Sequence, residues 1–253
     1  MAEPRFGLWS PFVALAATLL PLLWAKRWTT HSLQELSVRW VGDRDVALVV
    51  YFVLVLPGVV LHELSHWATA KLLGVRVSGI SLGPVRKRGN RVSLGSVRVG
   101  RVDVVRGTLI GLAPLLAASA AISLIGTLVL GVDELLASAP RGGLELVAAG
   151  VRQILDVPDV WLWLYLIFAV SNAMLPSESD MWAVRPLLAF LGLAAAVVVV
   201  VSGVPSVSPD VVAAAGVGAA FLASAFGLTL AANVVFGAVI GLLLWITRRL
   251  QEP

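Results

Sequence analysis

Residues 46–73 read VALVVYFVLVLPGVVLHELSHWATAKLL, and the residue types along them decide the fold. From Val46 to Leu61 there is no charge, which is the signature of a helix buried in lipid. His62, Glu63 and His66 then follow within the same apolar run. Ionisable groups at membrane depth cost on the order of 2.5 kcal/mol or more each, so they mark function by default. On a helix, residues four apart share a face, so both imidazoles can meet one cation with Glu63 beside them. The competing reading is a chance His-Glu-x-x-His whose polar groups satisfy one another, and the hydrocarbon setting makes that accident expensive.

Composition agrees with a membrane setting. The 253 residues are 58% hydrophobic and 13% charged, with a mean hydropathy of +0.92. A soluble domain would carry about 25% charged residues. Cysteine is absent, which excludes thiolate metal sites and disulfides. There are three histidines and the motif holds two, so further metal ligands are expected among carboxylates. The net charge of +4 is read as Lys and Arg marking cytoplasmic flanks rather than as a nucleic-acid surface.

At about 20 apolar residues per crossing, the chain threads as a single membrane domain, 1–253. Its expected segments are 8–25, 46–73, 108–131, 160–176, 182–202 and 211–247. The fold class is therefore a membrane all-α bundle of about six transmembrane helices. Segment 8–25 is read as a retained first span rather than a signal peptide, ending at Lys26-Arg27-Trp28. Segment 211–247 is too long for one straight crossing, so it breaks near Gly227, turns re-entrant or extends past the bilayer.

Residues 75–106 carry eight Lys and Arg against Asp103 alone, whereas the loop after the third span is mostly acidic, through Asp133, Glu134, Glu145, Asp156 and Asp159. The positive-inside rule then places 75–106 and both termini in the cytoplasm, with Lys26, Arg27 and Arg39 outside. Loose alternation of Val, Ile and Leu in 75–106 predicts a small antiparallel β element, with strands near 75–82, 91–94, 97–100 and 102–106. An unpaired edge there suits strand addition by an extended peptide, and the basic sheet also suits anionic headgroups. Residues 144–155 place Leu144, Val147, Val151 and Leu155 on one helical face, as in an interfacial helix.

A hydrolytic zinc site needs three protein ligands and an open position. The third is sought in Ser171-Asn172-Ala173-Met174-Leu175-Pro176-Ser177-Glu178-Ser179-Asp180. Pro176 ends regular helix there and lets a carboxylate turn into a cavity. Asp180 is the first choice and Glu178 its rival. Both also fit a solvated capping loop.

These motifs resemble the site-2 protease family of intramembrane zinc metalloproteases over roughly residues 46–182. His62 to His66 match its His-Glu-x-x-His, residues 75–106 its membrane-associated β-hairpin, and Gly111-Leu112-Ala113-Pro114 its Ala-Gly-Pro-like turn. Asn172 and Asp180 keep the family's Asn-to-Asp separation. The proline, however, falls four residues after Asn172 instead of three, and Ser179-Asp180-Met181 replaces Leu-Asp-Gly. The resemblance implies a zinc ion held by His62, His66 and Asp180, with Glu63 as general base then acid. Asn172 would bind substrate backbone or the developing oxyanion, although mending backbone beside Pro176 is an equal alternative. It further implies a transmembrane protein substrate cut near the cytoplasmic face of a prokaryotic plasma membrane, in regulated intramembrane proteolysis. The other readings are a membrane zincin with an enclosed chamber and a glutamate third ligand, a divalent-metal transporter or sensor, and a non-catalytic homologue. No inverted repeat or multi-span set of acids favours the transporter.

Overall fold

The computed structural model describes residues 6–87, 91–132, 144–177, 179–202 and 208–251. In chain order the elements are helix α1 (Phe6–Val41), α2 (Arg44–Leu72), strands β1 (Val77–Lys87) and β2 (Arg91–Val99), and helix α3 (Val104–Leu124). After them come α4 (Leu144–Leu155), α5 (Val160–Met174), α6 (Met181–Ser202) and α7 (Pro209–Gln251). A wider π turn, Ile125–Val129, continues α3.

Helix α2 has strong local punctuation at both ends. The Asp43 carboxylate accepts from the backbone N–H groups of Asp45 (2.7 Å) and Val46 (3.1 Å), capping donors that the helix itself cannot satisfy. At the far end Gly74 adopts φ +70°. Val75 N–H reaches back to Ala70 O and Gly74 N–H to Lys71 O. This paired closure needs a residue with positive φ, which glycine supplies without strain. The capped helix covers the apolar run that the sequence predicts.

The β element is a two-stranded antiparallel hairpin among the described residues, not the four strands expected. β2 runs unbroken through Gly95-Ser96. Residues 102–106 lead instead into α3, which starts at Val104, because the Asp103 side chain accepts the Arg106 N–H at 2.9 Å and caps the helix. Pairing shifts from Leu82↔Gly95 to Val85↔Ser93, so β1 holds an extra residue at Gly83-Pro84. Such a bulge bends a hairpin. The expected turn at Arg88-Gly89-Asn90 lies outside the described residues.

Helices α2 and α5 run parallel. The Tyr165 hydroxyl donates to Leu54 O at 3.1 Å, Gly58 lies against Ala169, and His62 lies against Ala173. α3 returns antiparallel to α2, with His66 beside Ile110. α4 and α5 meet at a bend of 99°, and Asp159 at the corner takes φ 55°. That left-handed conformation is one an aspartate tolerates better than most residues.

Four helices, α1, α2, α3 with its π turn, and α7, are long and apolar enough to cross a membrane, and the bent α4–α5 pair makes a fifth candidate. Helix α6, Met181–Ser202, is also apolar beyond Arg185. The described residues thus present four or five candidate spans and do not establish six. Nor does α1 end at Lys26-Arg27; it continues to Val41 because Thr29, Ser32, Leu33, Leu36 and Ser37 form a buried face at helical spacing. Segment 211–247 is likewise unbroken at Gly227 and forms the middle of α7. α1 and α7 lie parallel, with Pro11 near Gly216, Trp28 near Gly237 and Gly241, and Glu35 paired with Arg248. Phe6 and Gln251 thus lie at opposite ends of this pair, which lends no support to both termini facing the cytoplasm.

Candidate metal centre

The carbonyl oxygens around the two histidines set their chemistry. His62 Nδ1 lies 2.6 Å from Ala173 O, and His66 Nδ1 lies 2.8 Å from Ile110 O. A carbonyl only accepts, so each Nδ1 carries a proton, and Nε2 is the atom each ring turns inward. The two Nε2 atoms are 3.1 Å apart, and the rings stand nearly perpendicular at 83°.

Asp180 completes the group. Its Oδ1 lies 3.2 Å from His66 Nε2 and its Oδ2 3.6 Å from His62 Nε2. Ligand atoms from the three residues all fall within 4.8 Å of one another. α5 ends at Met174, and Leu175, which precedes Pro176, is extended (ψ 136°). Proline disfavours helical backbone in the residue before it, so the chain leaves the helix there and brings Asp180 back beneath α2. The Ser177 N–H donates to Asp180 Oδ2 at 2.6 Å and fixes the carboxylate.

Three potential ligand atoms, two imidazole nitrogens and a carboxylate oxygen, converge here. Such a set can hold a metal ion. Glu178, the rival ligand, lies outside the described residues.

Glycine lets the backbones come this close. A Cβ on Gly111 would stand 2.3 Å from Asp180 O, and one on Gly58 2.1 Å from Ala169 O. Gly111-Leu112-Ala113-Pro114 is therefore a contact within α3, not the turn opening a span. Across the site, a Cβ on Gly95 of β2 would stand 2.6 Å from Glu63 Oε1. The hairpin passes directly over the buried Glu63, close to its bulge. Sequence reasoning took the β element as a neighbour of the site and missed Gly95 as its roof. It also missed the two carbonyl partners, which no side-chain pattern could reveal.

These elements line an open cavity of about 1300 Å³. His62, Glu63, His66 and Asp180 line it together with β2 from Val92 to Val99, and Tyr51, Val55 and Val59 extend its wall along α2. Asn172 also lines it. Its amide is engaged within the protein, with Nδ2 donating to Phe168 O at 2.8 Å and Oδ1 accepting from Thr30 at 3.3 Å. Comparison with protein-family models, curated proteins and solved structures finds no match for this chain.

Proposed function

We propose that this chain is a zinc-dependent intramembrane endopeptidase of the site-2 protease type. The observation that carries the reading is the convergence of two imidazole Nε2 atoms and a carboxylate beside a buried glutamate. Zinc–nitrogen bonds of about 2.0–2.1 Å in tetrahedral geometry place neighbouring donors about 3.3 Å apart. The two Nε2 atoms lie 3.1 Å apart, and Asp180 offers Oδ1 at 3.2 Å from His66 Nε2 and Oδ2 at 3.6 Å from His62 Nε2. With one ligand atom from each residue within 4.8 Å of the others, this donor set would suit a zinc ion beside the cavity.

Zinc, when bound, supplies Lewis-acid activation of water and of the scissile carbonyl. His62 and His66 present it with fixed tautomers, because the carbonyls of Ala173 and Ile110 hold their Nδ1 protons. The Glu63 carboxylate takes the proton from the attacking water and returns one to the departing amine nitrogen. Among the described residues β2 pairs with β1 on one side and lines the cavity, which supports an extended stretch of substrate lying beside it. The substrate is a transmembrane protein unwound locally, since a helical peptide bond hides its carbonyl.

Purified protein should carry about one zinc per chain by elemental analysis and cut single-span membrane substrates. Glu63→Gln should keep the metal while cleavage falls about 10²–10⁴-fold. Undiminished cleavage by that variant would remove the mechanism.

A further inference from the structure

A groove of about 440 Å³ runs along the α1–α7 pair and shares no lining residue with the metal-site cavity. Trp24, Arg27, Trp28, His31 and Glu35 of α1 line it with Arg248 of α7. At 3.6 residues per turn these α1 positions fall on one face of the helix. The same face continues toward Phe6 through Leu20 and Val13, both exposed, and the two indoles are exposed as well. The stripe is therefore apolar first, aromatic in the middle and charged last. Glu35, the only carboxylate lining the groove among the described residues, already receives Arg39 and Arg248, each at 2.8 Å. Arg27 stands outside that network, with no ion-pair or hydrogen-bond partner among the described residues.

We propose that this groove binds the phosphate of an anionic membrane phospholipid. The Arg27 guanidinium offers charge and a fork of N–H donors to the phosphate oxygens, and the His31 imidazole adds another N–H. The acyl chains then run down the apolar stripe past Leu20 and Val13. The depth suits such a ligand. α1 carries no charge from Phe6 to Ala25 and meets Lys26 and Arg27 next, and tryptophan favours the membrane–water boundary. From Trp28, against Gly241, to Glu35, beside Arg248, the helix rises roughly 10 Å, which is the scale of a headgroup layer. A choline or ethanolamine headgroup would need an anion for its own cation, and Glu35 is already taken. The site is independent of the endopeptidase reading.

The test is native mass spectrometry of the full chain, released from micelles holding equal amounts of phosphatidylglycerol and phosphatidylcholine with the same acyl chains. Wild type should retain phosphatidylglycerol in preference. Arg27→Gln should lower that preference about fivefold, the effect of one cation at a membrane surface. Its thermal midpoint should stay at the wild-type value, since Arg27 is exposed. Arg249→Gln removes the same charge from a side chain that lies over Trp245, outside the groove, and should leave the preference unchanged. Equal losses in the two variants, or none in either, would overturn the site. Equal retention of both lipids by wild type would overturn its selectivity for an anion. Release of phosphatidylglycerol by an equal concentration of glycerol phosphate would reassign the groove to soluble phosphates and overturn the lipid.

Discussion

The metal-centre crossing and the α1–α7 pair use similar polar side chains to opposite ends. Along α1 and α7, Glu35 receives Arg39 at 2.8 Å and Arg248 at 2.8 Å, while Arg39 also donates to Gln251. Trp40 donates to Thr247. Every contact there joins a donor to an acceptor or a cation to an anion. Beneath β2 the pattern reverses, since two imidazole Nε2 atoms and a carboxylate face one point. Balanced polar groups in a membrane bundle hold helices together. The unbalanced set beneath β2 is one that could hold a metal ion.

The sharpest way to break this contrast is to remove one donor from the unbalanced set. Asp180→Asn should lower zinc affinity by more than about 100-fold, beyond what losing a partner outside the ligand set costs. Competition with a chromogenic chelator measures it, and cleavage should disappear in parallel. Glu178→Gln should leave affinity at wild type. If Glu178→Gln alone lost the metal, the third ligand would be reassigned and the enclosed-chamber zincin favoured.

A smaller effect separates the glycines of the two regions. At Gly111 a methyl group meets the Asp180 carbonyl at 2.3 Å, so backbone must move. Gly111→Ala should cost about 1–3 kcal/mol as overpacking and weaken zinc binding about tenfold by displacing Asp180. On α7, an added Cβ at Gly218 or Gly227 meets nothing within 4 Å. Alanine there should stabilise the helix by roughly 0.5–1 kcal/mol. Thermal unfolding with and without chelator tests both. Equal responses at Gly111 and Gly227 would show that the close approach at Asp180 is not tight.

What could be read in the sequence follows the range of the forces involved. His62, Glu63 and His66 were legible because a helix fixes neighbours at i and i+4 locally, and α2 lies where the apolar run predicts. Asp180 stood out because Pro176 announces the chain reversal that brings it back. The pattern failed where one signal served two structures. Val102 and Val104 alternate like a strand, yet Asp103 between them caps α3. Lys26-Arg27 looks like a membrane exit, yet the buried stripe through Thr29, Leu33 and Leu36 carries α1 onward. The partners of His62, His66 and Asn172 are a distant carbonyl, another carbonyl and a threonine from α1. Nothing in local spacing encodes contacts between residues so far apart in the chain.

The mildest test falls on the balanced region. Glu35 is 25% exposed in its side chain, Arg39 34% and Arg248 48%, so solvent screens the network substantially. Exposed pairs of this kind contribute about 0.2–1 kcal/mol each. Glu35→Gln should therefore lower the thermal midpoint by a few degrees at most, and by less at high salt, where surface electrostatics are screened. Zinc content and kcat should remain at wild-type values, because α1 reaches the cavity only through Thr30, one to two turns away along the helix. Loss of zinc from this variant would show that the α1–α7 end and the metal centre are coupled, and that balanced charge alone does not mark a region as architecture.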